Sequence, residues 1–270
     1  MFFSGLNNLN YKTISFMKTK FTSISALLLI ALFANCENKN KSSQSTAETT
    51  QETKTTNVDS ARVNGTACDI TISGIHFTKS VNGADTLATA DTKGKVTFKT
   101  GAKKDYFSDP NGKLSNNTAP ILLSKIDNKK PFTLISKVTP EFTKEGLYNA
   151  AVLYIYVHDN FWQKLCYEQD ERGNHRIVSV RTIGTSDDNN HDKVTTPSIY
   201  MKISSDTETI ANYYSYDKKN WHMVRLYENN YPDEIWVGIS NQCPMDDGSF
   251  SVFEDLSLVQ NSVSDFRMGN

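Results

Sequence analysis

The sequence lacks a charge excess, internal repeats and the motifs of the common nucleotide-dependent enzymes. With 29 basic and 30 acidic residues, its formal net charge is −1. Nucleic-acid-binding domains usually carry a basic excess, so we expect no nucleic-acid partner. No Gly-x-Ser-x-Gly, Walker or dinucleotide-binding motif is present, which argues against serine-hydrolase, phosphate-loop and dinucleotide chemistry. The absence of repeats disfavours a propeller or solenoid.

The apolar run near the N-terminus is too short to cross a membrane. Ala26–Ala34 is nine residues long, whereas about 20 are needed to span a bilayer. Lys18 and Lys20 precede the run, and Asn35-Cys36 follows it. A basic segment, a short apolar segment and an exit of small residues are typical of a secretory signal peptide.

The cysteine at the exit makes this segment resemble a bacterial lipoprotein signal, in which the cysteine becomes the first mature residue and carries the lipid. We therefore predict a signal peptide over residues 1–35, with Met17 as the true start. Residues 36–60 are predicted to be the lipidated Cys36 and a disordered tether, since they have almost no apolar surface to bury. The expected location is the bacterial cell envelope, anchored to a membrane on the periplasmic or cell-surface side.

The rest of the chain, residues 61–270, has the pattern of one β-rich domain. About twelve short alternating runs are separated by clusters of Gly, Asn, Asp and Lys, and no long segment has a helical period. This pattern predicts an all-β sandwich. An immunoglobulin-type sandwich has roughly 100 residues, so a jelly roll of two antiparallel sheets fits the length better. The predicted strands include Asp69–Phe77, Asn149–His158, Trp162–Gln169 and Arg176–Thr182.

Two of these strands predict a functional face. Alternate residues of Asn149–His158, from Ala151 to Val157, form an apolar side. Side chains alternate along a strand, so the opposite side carries Tyr154, Tyr156 and His158. The short link at 159–161 makes the next strand an antiparallel neighbour. Its residues on that same side are Trp162, Lys164 and Glu168, which predicts an aromatic and polar face.

The stretch from Ala84 to Val259 resembles the concanavalin-A-like family named after the regulation-of-enolase protein. The resemblance is carried by Asp105-Tyr-Phe107, Ala119-Pro120, Asn149-Ala-Ala151, Trp162-x-Lys-x-Cys-x-Glu168, Val180-Arg-Thr182, Ser186-Asp187, Ser215-x-Asp217 with Trp221, Val237-Gly238, Cys243-Pro244, Phe250, Phe253 and Asp255. It implies a lectin/glucanase jelly roll of two curved sheets and assigns no reaction or ligand. The sequence departs from the family pattern at Asp188, Lys202, Lys218-Lys219 and Cys243, where Trp, Arg, Gly and Ser are usual.

The carboxylates of the predicted face do not form a complete glycosidase motif. Laminarinase-like enzymes place three acidic residues along one strand so that two of them flank the scissile bond. Here Glu168-Gln-Asp-Glu171 puts its last acid directly beside Asp170 and into a turn. We interpret this stretch as a charged strand end and hairpin tip, and Glu168 with Lys164 as an ion pair. The sequence therefore favours a non-catalytic protein over an enzyme.

Carbohydrate binding needs only aromatic faces for sugar C–H groups and polar groups for hydroxyls. The alternative is that these aromatic residues are simply good strand formers. The candidate ligand-binding residues are Tyr154, Tyr156, His158, Trp162, Lys164, Glu168, Asn212 and Tyr214.

The sequence gives weaker evidence for a metal site or a disulfide than for a carbohydrate site. The 5 histidines show no ligand spacing and no Cys-x-x-Cys occurs. The stretch Asp187–Asp192 offers oxygen ligands but lacks the glycine and distal glutamate of an EF-hand, so we interpret it as a solvated acidic loop. We predict no cofactor and no metal, and leave calcium open because some jelly-roll lectins bind it. Once Cys36 is lipidated, three cysteines remain, which are Cys68, Cys166 and Cys243. They form either one disulfide plus one free thiol or three buried thiols.

These observations lead to three functional hypotheses. The first is a membrane-anchored lipoprotein outside the cytoplasm that binds a glycan or polysaccharide through its jelly-roll domain. The second is a glycoside hydrolase-like enzyme acting on a polysaccharide. The third is a non-catalytic accessory or structural subunit of an envelope complex. The ligand and the oligomeric state stay open.

Overall fold

The computed structural model describes residues 65–270. The predicted signal peptide, Cys36 and the tether lie outside the described residues. The described elements are β1 (Thr66–Ile72), β2 (Ile75–Val81), α1 (Ala84–Leu87), β3 (Ala88–Ala90), β4 (Val96–Gly101), β5 (Tyr106–Ser108), β6 (Ser115–Asn117), β7 (Ile121–Asp127), β8 (Phe132–Pro140), β9 (Ala150–His158), β10 (Phe161–Gln169), β11 (His175–Ile183), β12 (Thr185–Lys193), β13 (Ile199–Ser205), β14 (Thr209–Ser215), β15 (His222–Glu228), β16 (Glu234–Gln242) and β17 (Gly248–Val259).

Two large antiparallel sheets confirm the predicted jelly-roll sandwich. The eight-stranded sheet has the order β1-β2-β7-β16-β9-β10-β11-β12, and the seven-stranded sheet has the order β15-β14-β13-β8-β17-β4-β3. Strands β5 and β6 pair only with each other. Because six of the thirteen neighbouring pairs in these two sheets join strands that are not consecutive in the chain, segments from several parts of the sequence meet above the same strands.

The main core lies between the two large sheets. Leu153 and Ile155 of β9 and Leu165 of β10 pack in one cluster with residues of the other sheet, such as Met201 and Phe253. All of them are fully buried, and burial of such a side chain contributes about 1.5–3 kcal/mol. The apolar side predicted for β9 is therefore confirmed as the core side.

The opposite side of the eight-stranded sheet, which we call the outer face, is also covered. A second cluster there includes Tyr154, Tyr156, Trp162, Val152 and Tyr106. Tyr106 belongs to the β5–β6 hairpin and makes edge-to-face contacts with the three other rings, at centroid distances of 6.4, 6.1 and 5.8 Å. The hairpin thus closes over one part of the outer face.

Two sequence-based predictions about elements were wrong. Asp69–Phe77 is not one strand but the hairpin of β1 and β2, because Ser73 and Gly74 have φ values of 51° and 77° and reverse the chain. The acidic stretch 187–192 is not a loop but lies within β12, whose Asp188 pairs with Val180 of β11. Charged side chains on such an edge strand oppose edge-to-edge association.

Candidate functional site

Strand β10 places Lys164 and Glu168 on the outer face, as its alternation predicts. Lys164 lies opposite Tyr154 of β9, and Trp162 lies opposite Tyr156. Both charged side chains are almost completely removed from solvent, since Lys164 is 2% and Glu168 7% exposed. Charges buried to this extent need partners, so their contacts define the site.

Lys164 donates its hydrogen bonds to groups from two other segments. Its Nζ lies 2.8 Å from the carbonyl oxygen of Tyr106 and 3.0 Å from Oε1 of Gln242, and 3.5 Å from Oδ1 of Asp105. Burial alone would lower the pKa of Lys164, but Asp105 and other nearby acidic groups hold that pKa above its ordinary value. The ammonium therefore stays charged and fixes the covering segment to the sheet.

Gln242, at the end of β16, connects Lys164 to Glu168. Its Nε2 lies 3.2 Å from Oε2 of Glu168 and 3.2 Å from the carbonyl oxygen of Tyr148. The predicted Lys164–Glu168 ion pair is thus replaced by a bridge through Gln242, and Lys164 pairs with Asp105 instead. Burial raises the pKa of Glu168 from 4.5 to about 8; Lys164 opposes this rise, and Asp188 and Asp105 add to it.

A cavity of about 440 Å³ opens above these side chains. Lys164, Glu168 and Gln242 form part of its lining, together with Asp105 and Asp188. Its apolar lining includes three of the exposed large apolar side chains in the described part of the chain, which are Leu114, Tyr148 and Met245 at 53%, 37% and 52% exposure. The cavity therefore combines buried polar groups with exposed apolar ones, as small-molecule sites commonly do.

Tyr148 has an unusual backbone conformation for its residue type. Its φ is 66°, in the left-handed region that bulky residues rarely adopt. Two hydrogen bonds hold it there, because its amide donates to the carbonyl of Gln169 at 2.7 Å and its carbonyl accepts from Gln242. Conformations of this kind often occur where a side chain is positioned for a ligand.

Acidic groups dominate the charge of this cavity. Asp188 lies on edge strand β12, opposite Val180 of β11. Partial loss of water there raises the pKa of Asp188, and Asp105 adds to the rise. Glu171 lies at the turn after β10. Asp170 beside it has a structural role, because hydrogen bonds from Arg176, Asn174 and Arg172 overcome its burial and hold its pKa well below the ordinary value. The interpretation of 168–171 as a strand end and hairpin tip agrees with this geometry.

The remaining predicted ligand-binding residues do not reach the cavity. Tyr154, Tyr156 and Trp162 are fully buried, so the expected open aromatic face is corrected to a closed one. The reason is that the β5–β6 hairpin buries these large rings under Tyr106. His158 pairs with Phe161 at the hairpin end of β10, seven residues and roughly 23 Å from Glu168 along the strand.

Asn212 and Tyr214 belong to the seven-stranded sheet. Tyr214 is part of the core between the sheets and donates to Oδ2 of Asp192 at 2.7 Å. Asn212 alternates with the core residues Ile210 and Tyr214, so its side chain points to the same core. The alternation of side chains predicted that Asn212 and Tyr214 share one side of their strand. It did not predict that this side faces the core between the two sheets.

The part of the chain in the structure contains no group of three or more His, Cys, Asp or Glu residues that could hold a metal ion. Cys68, Cys166 and Cys243 are free thiols there. Within residues 65–270, none of the helical structure is long and apolar enough to cross a membrane.

The sequence profile of a family described as "Protein of unknown function (DUF1349)" matches residues 84–261. The chain belongs to the DUF1349 family. This match covers the stretch that carries the resemblance described above, and it does not bear on enolase regulation or lipid attachment. Among curated proteins, none matches the chain.

Solved structures share the fold of this DUF1349 domain. A functionally unknown protein from Saccharomyces cerevisiae has a TM-score of 0.61 and 22% identity, covering 68% of this chain and 96% of that one. The GH43 protein BlXynB from Bacillus licheniformis has a TM-score of 0.52 and 16% identity, covering 68% of this chain and 36% of that one. The bifunctional GH43-CE protein of Bacteroides eggerthii has a TM-score of 0.51 and 17% identity, covering 66% of this chain and 23% of that one. The similarity to the GH43 proteins is therefore confined to part of each, and at these identities it concerns the fold alone.

Thirteen of the fifteen residues that line the cavity were not among the predicted ligand-binding residues, and four of these are Asp105, Tyr148, Asp188 and Gln242. These four come from four separate segments of the chain. Asp105 is among the residues that carry the family resemblance, and Asp188 is among the departures from the family pattern, so these two had a signal in the sequence. Nothing local to Tyr148 or Gln242 indicates that they meet Glu168.

Proposed function

We propose that this protein is an envelope lipoprotein whose DUF1349 domain binds a glycan in the cavity above β10. The observation that carries the proposal is the bridge from Lys164 through Gln242 to Glu168, buried beneath a partly exposed apolar rim. A sugar presents C–H surfaces and hydroxyl groups at once, and this site offers a partner for each. The jelly-roll fold shared with two GH43 proteins supports the same proposal.

The binding test is a glycan array screened with the full chain, with and without calcium. We expect reproducible binding to one class of polysaccharide. Met245→Ser and Leu114→Ser remove apolar area from the rim and should weaken that binding. The matched control is Met268→Ser, which changes a methionine that is 60% exposed and does not line the cavity. A blank array with folded protein would contradict glycan binding and favour an accessory subunit of an envelope complex.

The anchoring part of the proposal rests on Cys36 and the segments around it. Growth of a bacterial host with a labelled fatty acid should label the wild-type chain in the membrane fraction. Cys36→Ser should abolish the label and release the protein, whereas Cys68→Ser, at a position outside the signal, should not. Equal labelling of the Cys36→Ser variant would overturn the lipoprotein assignment.

A second candidate function is glycoside hydrolysis, and Glu168 is the observation that favours it. Its pKa of about 8 keeps the carboxyl protonated near neutral pH, as a general acid requires. The other carboxyl groups around the cavity include Asp105 and Asp188. Release of reducing ends from the bound polysaccharide, lost in Glu168→Gln while binding persists, would establish the enzyme. Unchanged polysaccharide after long incubation would leave the binding function alone.

A further inference from the structure

The segment that follows β17 crosses the seven-stranded sheet on the side away from the core. Met201 and Ile203 of β13 pack between the two sheets, so Lys202 between them points to the opposite side. Lys202 is nevertheless only 3% exposed, and its Nζ donates to the carbonyl oxygen of Gly269. The covering segment, residues 262–269, follows the stretch that the DUF1349 profile matches. It therefore lies outside the part of the chain that defines the family.

We infer that residues 262–269 form a strap that opens while the sandwich stays folded. The closed strap covers the side chains of Lys202, Tyr213 and Trp221, and opening gives solvent and other molecules access to them. Three features of the strap carry this inference, which are the atoms that hold it, the small apolar surface that it buries, and the charge that it encloses.

The hydrogen bonds between the strap and the sheet use backbone atoms of the strap. The hydroxyl of Tyr213 donates to the carbonyl oxygen of Phe266 at 2.6 Å, and the amide of Val263 donates to Oγ of Ser204 at 3.0 Å. Water can replace each of these partners when the strap opens, so each bond contributes little net free energy to the closed state.

The side chains of the strap bury little apolar surface. Of residues 262–269, only Gly269 is buried, and it has no side chain. Met268 is 60% exposed, and Val263 and Phe266 are half-buried. Segments with few buried apolar contacts open at a lower free-energy cost than the core does.

Closure also removes the ammonium of Lys202 from water without supplying a carboxylate. Lys202 has no ion pair within residues 65–270, and its Nζ lies 3.6 Å from the ring centroid of Trp221 and 5.1 Å from that of Tyr213. Burial lowers the pKa of Lys202 to about 8, so the ammonium is less stable under the strap than in solvent. This enclosed charge opposes closure.

Gly269 is the position at which a substitution should displace the strap. Its φ is 74°, and a Cβ there would lie 2.9 Å from Cβ of Trp221 and 2.9 Å from the ring of Tyr213. Gly112→Ala is the matched control for Gly269→Ala. Gly112 has a φ of 72°, but a Cβ there meets nothing within 4 Å, so the control carries the backbone strain without the clash.

The experiment measures the access to Lys202 by reductive methylation of the full chain with formaldehyde and a borane reductant. Mass spectrometry of peptides gives the labelling rate of Lys202 relative to that of Lys99, an exposed lysine of β4. This ratio is the open fraction of the strap, and we expect it to exceed the unfolded fraction from urea unfolding by about ten-fold or more. Gly269→Ala should raise the open fraction about ten-fold, whereas Gly112→Ala should not raise it.

Three results would contradict the inference. An open fraction equal to the unfolded fraction would mean that the strap and the sandwich open together. Labelling of Lys202 as fast as that of Lys99 would mean that the strap does not close. Equal open fractions in Gly269→Ala and Gly112→Ala would mean that access to Lys202 does not depend on the strap.

Discussion

The ammonium of Lys164 donates to the backbone carbonyl of Tyr106 at 2.8 Å across 58 positions of sequence. This bond fastens the β5–β6 hairpin to β10, in the middle of the outer face. The hairpin in turn buries the aromatic rings of that face and brings Asp105 to the rim of the cavity. One buried cation therefore contacts both the cover of the sheet and the polar base of the site.

Loss of this cation should be costly. Lys164→Met leaves Asp105 and the bridge through Gln242 without their charged donor, and removal of one partner of a buried pair typically costs about 3–5 kcal/mol. Urea unfolding would measure the change. The matched control is Lys137→Met, whose pair with Glu254 is over one-third exposed at 3.8 Å and should contribute under ~1 kcal/mol. Equal losses in the two variants would contradict the role given to Lys164.

Tyr148 should provide the aromatic surface for the ligand in place of the buried rings. Tyr148→Ala removes a ring at the rim, and aromatic contacts of this kind contribute about 0.5–1.5 kcal/mol, so affinity should fall roughly two- to ten-fold. Tyr216→Ala is the matched control, because Tyr216 is 49% exposed and follows β14 of the other sheet. If the control lost as much affinity as Tyr148→Ala, the ligand would not bind in this cavity.

Glu168 should make stability depend on pH. Its pKa is raised from 4.5 to about 8 in the folded chain, so between these values the folded state holds a proton that the unfolded state has released. Stability from this group is therefore full below about pH 4.5 and falls as the pH rises towards 8. Each pKa unit corresponds to about 1.4 kcal/mol.

The comparison with Glu168→Gln isolates this effect, since the other titrating groups are shared. The free energy of unfolding of the wild type, minus that of the variant, should fall by at least ~2 kcal/mol between about pH 5 and 8. Chemical denaturation across that range measures it. Parallel curves for the two proteins would mean that Glu168 titrates normally.

Gly238 should tolerate no side chain. It lies in β16 between Tyr154 of β9 and Leu123 of β7, and a Cβ there would come within 1.9 Å of the carbonyl oxygen of Leu122. Gly238→Ala should therefore destabilise the protein by roughly 2 kcal/mol or more, through backbone strain in the central strands. Gly101→Ala, where a Cβ meets nothing within 4 Å, should be neutral or stabilising by up to about 1 kcal/mol. Thermal melts of the two variants provide the measurement.

Alternation predicted the sandwich, the β9–β10 hairpin and the shared side of Lys164 and Glu168, because a strand has period two whatever it pairs with. It did not predict that β12 would form, since Asp187–Asp192 has no apolar pattern and pairs only because β11 offers a free edge. It also did not predict the cover over Tyr154, which depends on contacts with Tyr106, far away in sequence.

The candidate site was predictable only where one strand carries it. Lys164 and Glu168 were found because they share β10. Asp105, Tyr148 and Gln242 meet them through the order of strands in the sheet, and no local pattern encodes that order. For Asn212 and Tyr214 the alternation was also correct, since both lie on one side of β14. Alternation within a strand gives no information on which sheet faces a ligand, so these two residues were wrongly assigned to the site.

Amide chemical-shift mapping tests the central claim, that the cavity above β10 binds a glycan, most directly. The full chain would be titrated with fragments of the polysaccharide class that binds on the array. We predict that the largest shift changes cluster at Tyr148, Lys164, Asp188 and Gln242. Changes confined to β13, β14 and β15, or no changes at saturating ligand, would contradict it.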